Sequence, residues 1–180
     1  MLAAVLVEGI SDLLALEALG RRHGRDLRAE GVEIVPIGGA QAITRFLVQF
    51  GGLRLAGLCD AGEEAEFRRG LERAGMGVGL DRAGMEALGF FVCEDDLEDE
   101  LIRAVGAAAI QRIAAEQGDI GAFRTLQKQP EWRGRPVEQQ LRRWLGSGGR
   151  RKTRYATLLV EAVDLARVPR PLDGVLAHVL

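Results

Sequence analysis

The sequence has few of the residues that build metal–thiolate sites, disulfide frameworks or aromatic cores. Only two cysteines and two histidines occur among its 180 residues, and aromatic residues make up 5% of it. Cys59 and Cys93 each end an apolar run, so we interpret them as small buried hydrophobic residues and not as a zinc or disulfide site. The isolated histidines, His23 and His178, form no metal-binding cluster in the sequence. The core is therefore expected to consist of leucine, valine, alanine and isoleucine.

Long apolar segments and nucleotide-binding loops are also missing. No apolar run approaches the roughly 20 residues of a membrane-spanning helix. The N-terminus has no basic segment and Glu8 interrupts its only apolar run, so a signal peptide is not expected. No GxxxxGK[ST] loop occurs, so no ATP site of that type is expected in this chain. Together these absences predict a cytoplasmic protein.

The net charge of −2 hides a strong asymmetry along the chain. Residues 1–118 carry 12 basic and 20 acidic side chains, whereas residues 119–170 carry 12 basic and 5 acidic ones. Such a division is typical of a nucleic-acid-binding surface beside an acidic pocket. A basic helical lobe docked on an acidic core would give the same pattern, and charge alone does not separate these two interpretations.

Four short apolar runs predict the strands of one sheet: Ala3–Val7, Val32–Ile37, Arg54–Cys59 and Gly89–Cys93. They do not alternate between polar and apolar residues, which is typical of strands buried on both faces. Helical patterns separate the strands, and Ser11 is expected to cap the first helix, which reaches about His23. Strands that alternate with helices predict an α/β fold with a mainly parallel, Rossmann-like four-stranded sheet flanked by helices.

Beyond residue 94 the pattern becomes helical. Helices are predicted over Leu97–Val105, Ile110–Gln117, Ile120–Gln127, Val137–Leu145 and Thr153–Ala166, after earlier ones at 40–50 and 63–74. The Gly-Ser-Gly-Gly segment at 146–149 is expected to be a flexible break before the basic run 150–154. We therefore predict an α/β core over residues 1–106 and a helical extension over residues 107–180 that packs on it and carries this basic run.

Acidic residues follow three of the four predicted strands. They are Glu8 and Asp12 after the first strand, Asp60 after the third, and Asp96 and Glu98 after the fourth. The carboxyl ends of parallel strands share one edge of the sheet, and ligands bind there. Hard divalent cations such as Mg²⁺ take carboxylate oxygens as ligands and offset the repulsion between them. The pattern predicts a metal site, although each acid alone also fits a helix cap, a helix-dipole contact or a solvated helix face.

Four segments, in order along the chain, resemble the TOPRIM domain of the OLD (overcoming lysogenisation defect) nucleases. Val5–Asp12 resembles the first TOPRIM motif, and Val35–Gly39 resembles the second strand and its turn. Phe91–Ala104 resembles the acidic strand-to-helix segment of that family, and Gly149–Ala156 resembles the segment that supplies its catalytic lysine. The likeness covers nearly the whole chain and implies a TOPRIM fold with a C-terminal helical extension.

The resemblance also implies a DNA endonuclease that uses two divalent cations, Mg²⁺ or Mn²⁺. By position, it assigns five metal ligands: Glu8, Asp12, Asp60, Asp96 and Glu98. Glu8 and Lys152 are the implied catalytic residues, with the ammonium stabilising charge that develops on the phosphate. Lys152 is one of only two lysines in an arginine-rich chain. A solvent-exposed basic turn is the alternative interpretation of Lys152.

The sequence departs from the family in two places. The second motif, Asp-x-Asp in many TOPRIM domains, is here Asp60-Ala61-Gly62, so Glu63, Glu64 or Glu98 would have to supply the missing acid. OLD nucleases also usually carry an ATPase domain, so an ATPase supplied by a separate subunit is expected. Two alternatives stay open: an RNA-processing TOPRIM nuclease, and a degenerate TOPRIM module that binds nucleic acid or a partner without catalysis.

Basic and aromatic residues of the second half are candidates for nucleic-acid contacts. Five arginines are expected to contact the backbone without reading sequence: Arg142, Arg143, Arg150, Arg151 and Arg154. Trp132 and Trp144 either stack on unpaired bases or fill a helical core. Tyr155 is predicted to be a packing residue. Gly38-Gly39 fits either a tight strand-to-helix turn or a backbone approach to a phosphate.

Overall fold

The sheet at the centre of the molecule has four parallel strands in the order β2-β1-β3-β4 in this computed structural model, which describes residues 1–180. The strands are β1 (Ala3–Val7), β2 (Val32–Pro36), β3 (Arg54–Cys59) and β4 (Phe90–Val92). All four predicted strands are present, and β2 and β4 are shorter than predicted. The predicted α/β fold with a parallel sheet is confirmed.

Both faces of the sheet are covered by apolar side chains, which explains why the strands show no polar alternation. All five residues of β1 are buried. Successive side chains of a strand point to opposite faces, so Val5 and Val7 join a cluster of 31 buried residues while Leu6 joins a second cluster of 11. Gly57 of β3 allows the close approach of β4, because a Cβ there would lie 2.5 Å from the ring of Phe90.

Four helices connect or follow the strands of the first half: α1 (Ile10–Arg22), α2 (Ile43–Gln49), α3 (Glu64–Arg73) and α4 (Arg82–Ala87). The prediction that Ser11 caps α1 is wrong, because the helix begins two residues earlier, at Ile10, and Gly9 is its N-cap. Asp12 closes this helix start, since its Oδ2 accepts a hydrogen bond from the backbone N–H of Gly9 at 2.9 Å. The short helix α4 was not predicted; Met85 is its only buried residue, so it has no apolar stripe.

Six further helices form the second half: α5 (Leu97–Val105), α6 (Ala107–Glu116), α7 (Ile120–Lys128), α8 (Val137–Gly146), α9 (Gly149–Ala162) and α10 (Arg170–Val179). The predicted start of a helix at Thr153 is wrong, because α9 already begins at Gly149. The basic run 150–154 therefore forms the first turns of a helix. Arginine and lysine are good helix formers, so nothing in this run stops the helix from extending toward its N-terminus.

The helical half packs directly on the α/β half. Helix α9 lies along α1, and α10 packs against β3 and β4. The 31-residue cluster contains Leu16 of α1 together with Trp144 of α8 and Leu159 of α9. The proposed boundary at residue 106 stays a prediction, since this apolar core is continuous across it. None of the helices combines the length and the hydrophobicity needed to cross a bilayer.

Candidate active site

The carboxyl edge of the sheet brings together acids that are far apart in the sequence. Glu8 directly follows β1, and Asp60 directly follows β3. The two strand ends are linked, because Glu8 Oε1 accepts a hydrogen bond from the backbone N–H of Asp60 at 3.0 Å. A cleft of about 320 Å³ opens at this edge, and its walls include Glu8, Asp12, Asp60 and Lys152. Two strand ends and the first turns of α1 and α9 thus place three of the predicted acids and the predicted lysine around one space.

Asp12 is held inside the first turn of α1 and is only 8% exposed. Burial raises the pKa of Asp12 to about 6, although the hydrogen bond from Gly9 acts in the opposite direction. The charges of Asp60 and Glu98 raise this pKa further, while Lys152 lowers it. The helix N-terminus alone therefore does not explain why a carboxylate lies here, because burial disfavours the ionised form of Asp12.

Asp60 shows the same electrostatic conflict. Burial raises its pKa to about 7, and the neighbouring charges of Glu8 and Asp96 add to the shift. Asp60 stands at the N-cap position of the short 3₁₀ turn Ala61–Glu63, but its side chain makes no capping hydrogen bond. Its carboxylate thus lacks the structural role that would explain a buried acid, which leaves it free to bind a cation.

Glu98 and Lys152 form an ion pair across the site. The distance from Lys152 Nζ to Glu98 Oε2 is 3.3 Å, and Glu98 is only 7% exposed. Burial raises the pKa of Glu98 more than Lys152 lowers it. Burial lowers the pKa of Lys152, but Glu98, Asp60 and Asp12 outweigh it and raise the pKa overall. The ammonium therefore stays charged, and the residue is half-buried against acids rather than part of an exposed turn.

Asp96 already has a structural role at the start of α5. Its Oδ1 accepts a hydrogen bond from the backbone N–H of Asp99 at 2.8 Å and so caps the helix. Its Oδ2 accepts a hydrogen bond from Arg142 Nε at 2.7 Å. A role for Asp96 as a metal ligand stays a prediction, and it would require the ion pair with Arg142 to open.

Glu63 and Glu64, the two neighbouring residues that could replace the acid missing at Gly62, differ in their surroundings. Glu64 pairs with Arg82 at 2.6 Å on the outside of α3. Glu63 lies close enough to Glu8 that its charge raises the pKa of Glu8, in addition to the larger effect of burial. Of these two residues, Glu63 is therefore the better placed to complete the cluster.

The donor chemistry fits a hard divalent cation, but the side chains do not form a closed chelate. Glu8, Asp12, Asp60 and Glu98 offer only carboxylate oxygens, and their pKa values are raised first by burial and then by the charges of neighbouring acids. No three His, Cys, Asp or Glu side chains of the structure stand close enough to ligate one metal ion. The carboxylates would have to turn toward a common point to ligate one ion.

Comparison with known proteins identifies the fold. Residues 2–60 match the family model described as "Overcoming lysogenization defect protein-like, TOPRIM domain". The C-terminal region of the Xanthomonas campestris pv. campestris OLD protein is similar, with a TM-score of 0.75 and 22% identity over 99% of this chain and 91% of that one. The protein has an OLD-like TOPRIM fold.

A second solved structure agrees with this OLD-like TOPRIM fold. The C-terminal region of the Burkholderia pseudomallei OLD protein has a TM-score of 0.74 and 18% identity, over 98% of this chain and 96% of that one. No curated protein sequence matches the chain. At these identities the solved structures establish the fold, including the helical half, and the resemblance inferred from the sequence motifs is confirmed.

The five arginines proposed to bind nucleic acid are not equivalent in this OLD-like domain. Arg142 pairs with Asp95 and Asp96, and Arg154 pairs with Asp119. The guanidinium of Arg151 lies 4.7 Å from the centre of the Trp144 ring. These three arginines contact other side chains of the protein, whereas the remaining two are exposed and have no ion pair: Arg143 and Arg150.

The two tryptophans are separated by burial. Trp144 is 1% exposed and packs between Phe123 and Tyr155, with ring centres 5.5 Å and 5.1 Å away. It therefore fills the helical core, and base stacking by Trp144 is ruled out by its burial. Tyr155 is a packing residue, as predicted, and its hydroxyl donates a hydrogen bond to Asp119. Trp132 is only partly buried and lies beneath the guanidinium of Arg135.

The remaining cleft residues come from turns and helix starts. Gly38 and Gly39 have φ angles of 76° and 117°, so this turn after β2 needs glycine, and Gly39 reaches the cleft. Ser11, Gly149 and Thr153 also line the cleft and were not predicted as site residues. For Ser11, the sequence offers one indication of a site residue, which is its position three residues after Glu8 in the first turn of α1.

Proposed function

We propose that this protein is a divalent-metal-dependent endonuclease that hydrolyses DNA phosphodiester bonds. The observation that carries the proposal is the convergence of partly or fully buried acids with raised pKa values beside one charged lysine, Lys152, at the carboxyl edge of the sheet. The OLD-like TOPRIM fold is a nuclease-type fold and supports the same conclusion.

The carboxylates would hold the cations. When bound, two Mg²⁺ or Mn²⁺ ions would supply an activated water and stabilise the leaving 3′ oxygen. Glu8, Asp12 and Asp60 line the cleft and offer the oxygen ligands that these ions prefer. Glu98 reaches the same edge from α5 and would join them, with Asp96 a further candidate if its pair with Arg142 opens.

Lys152 and the exposed arginines would bind the phosphate backbone. The Lys152 ammonium is charged and borders the cleft, so it would stabilise negative charge that develops on the phosphate during cleavage. Arg143 and Arg150 are exposed and have no ion pair to break before they bind backbone phosphates. Arg142, Arg151 and Arg154 would contribute only after exchanging their present partners.

The proposal is tested by incubating the purified protein with plasmid DNA, and in parallel with a structured RNA, in Mg²⁺, Mn²⁺ or EDTA. We expect nicked or linear DNA in both metals and intact DNA in EDTA. Cleavage of the RNA alone would favour the RNA-processing alternative. No cleavage of either substrate in either metal would overturn the proposal.

A degenerate, non-catalytic TOPRIM module is the second candidate function. It is favoured by Gly62 in place of an acid and by the open arrangement of the carboxylates. Isothermal titration with Mg²⁺ and Mn²⁺ separates the two candidates, since a degenerate site binds neither ion appreciably. Saturable binding of either ion, lost in Asp60→Asn, would exclude this candidate.

We also propose that the protein works with an ATPase supplied by another chain. The similar solved structures are C-terminal regions of OLD proteins, and the resemblance to that family implies an ATPase partner. ATP added to the purified protein alone is expected to leave DNA cleavage unchanged. A response to ATP in the isolated chain would show that it needs no separate ATPase.

A further inference from the structure

We infer that the N-terminus of α9, together with the hydroxyl of Ser11, is a binding subsite for a phosphate group of the nucleic-acid backbone. This inference deepens the proposed nuclease function and rests on it for the identity of the ligand. The binding groups are backbone N–H groups and a hydroxyl, so the subsite is chemically distinct from the carboxylates.

Helix α9 begins with free backbone donors. Its N-cap is Gly148, which has no side chain to cap the helix, and its first turn contains no acidic residue. The first hydrogen bond of the helix runs from the N–H of Lys152 to the carbonyl of Gly148 at 2.8 Å. The N–H groups of residues 149–151 therefore have no acceptor within the helix. A helix N-terminus with free N–H groups favours an anion.

Ser11 supplies a second, independent observation. It lines the same cleft as Gly149 and Thr153, and it is only 5% exposed. Its hydroxyl makes no hydrogen bond within the protein, whereas the hydroxyl of Thr153 donates to the Gly149 carbonyl. The hydroxyl oxygen opens onto the cleft, so a ligand bound there can reach it. An oxygen-rich ligand in the cleft would give Ser11 the partner that it lacks.

There is room for a phosphate in front of these donors. A Cβ added to Gly148 or Gly149 would meet no atom within 4 Å. Gly148 has an extended backbone with φ of −162°, a conformation that any residue adopts, so its glycine is not needed for the turn. The effect of glycine here is to leave the helix end uncovered. Lys152, one turn into α9, adds a positive charge beside the same opening.

The ligand that fits best is a singly charged phosphate. Glu8, Asp12 and Asp60 on the opposite wall repel anions, so the attraction comes only from α9, Lys152 and Ser11. At about pH 5.5 inorganic phosphate is mostly a monoanion, as a backbone phosphodiester is.

The experiment is a titration of the full chain with inorganic phosphate in EDTA at about pH 5.5, followed by backbone amide NMR, with sodium chloride at matched ionic strength as the reference. We expect saturable shifts at residues 149–151 and at Ser11. Ser11→Ala should weaken binding about threefold and Gly148→Asp at least about tenfold, since a carboxylate at the N-cap occupies the free N–H groups.

Gly121→Asp is the matched control, because it adds the same charge at an exposed, open position in the first turn of α7. It should bind phosphate like the wild type. Shifts spread over the surface arginines would mean an adventitious ion only, and equal affinity in Gly148→Asp would likewise overturn the inference. Neither metal nor cleavage enters this titration, so its failure is distinguishable from failure of the proposed nuclease activity.

Discussion

At the scale of single residues, Asp60 links stability, pH and metal binding. Its carboxyl group is protonated more readily in the folded chain than in the unfolded one, because its pKa is raised from 3.8 to about 7. Stability contributed by the bound proton is therefore present at low pH and is lost as the pH rises toward and through about 7. At higher pH the ionised carboxylate destabilises the metal-free protein.

Asp60→Asn is expected to stabilise the metal-free protein at pH 8 and to have little effect near pH 4. The gain should be on the order of 1 kcal/mol, since solvent at this partly exposed group screens part of the effect. Urea denaturation in EDTA at both pH values measures it. Asp173→Asn, an exposed acid on α10, is the control and should show no such pH-dependent gain. A destabilised Asp60→Asn at pH 8 would contradict the electrostatic argument.

Glu8→Gln and Lys152→Ala are expected to abolish DNA cleavage while leaving the fold intact. Removal of one donor that stabilises negative charge in a transition state typically lowers the rate by about 10²–10³-fold. Cleavage rates and circular dichroism spectra are the measurements. Lys128→Ala is the matched control, because Lys128 is the only other lysine and is exposed on α7. Full activity in either variant would remove that residue from the mechanism.

At the scale of elements, α1 and α9 position the site together. They lie side by side with their N-termini at the cleft, where α1 supplies Asp12 and α9 supplies Lys152. At the opposite end, Arg22 of α1 donates hydrogen bonds to the carbonyls of Val160 and Val163, which close the C-terminal end of α9. One arginine thus fixes the register of the two helices.

Arg22→Met is expected to destabilise the protein by about 1–3 kcal/mol, because two carbonyls lose a charged donor. Urea denaturation measures the loss. Arg21→Met is the matched control, since Arg21 is exposed on the same helix, and it should change stability by less than about 0.5 kcal/mol. Equal stability of the two variants would show that Arg22 does not fix α9.

Strands were easier to predict from the sequence than helix ends. The continuous apolar runs of β1 and β3 gave their observed limits, because strands buried on both faces carry a strong local signal. The sequence predicts the start of α9 too late, because the glycines at 146–149 favour a break there, whereas Gly146 ends α8 and Gly149 begins α9. Helix ends also depend on contacts between distant residues. Arg22 bonds the last carbonyls of α9, and nothing in the sequence around α9 indicates this contact.

At the scale of the whole molecule, the acidic and basic halves share one apolar core. The cluster of 31 buried residues spans both, and α9 and α10 cover α1 and the sheet. The acids at the strand ends were predictable, because parallel strands fix where their carboxyl ends meet. The partners of Arg142 and Arg154 were not, since Asp96 and Asp119 lie 46 and 35 residues away. Two of the arginines predicted to contact nucleic acid therefore have ion-pair partners within the protein, and their role in nucleic-acid binding stays a prediction.

The shared core predicts that the chain unfolds in a single cooperative transition. A chain that ends at residue 106 would lack α9 and α10 and expose apolar residues such as Leu16 and Leu19 of α1. Circular dichroism melting is expected to show one transition for the full chain and none for the truncated one. Two separate transitions in the full chain would instead indicate independent folding units.

The central claim is that the carboxylates at the sheet edge bind divalent cations, and anomalous diffraction from crystals grown with Mn²⁺ tests it most directly. We predict two anomalous peaks in the cleft, within coordination distance of Glu8, Asp12 and Asp60. A Lys152→Ala crystal should keep these peaks, because the lysine is not a ligand. A cleft without an anomalous peak at saturating Mn²⁺ would contradict the claim.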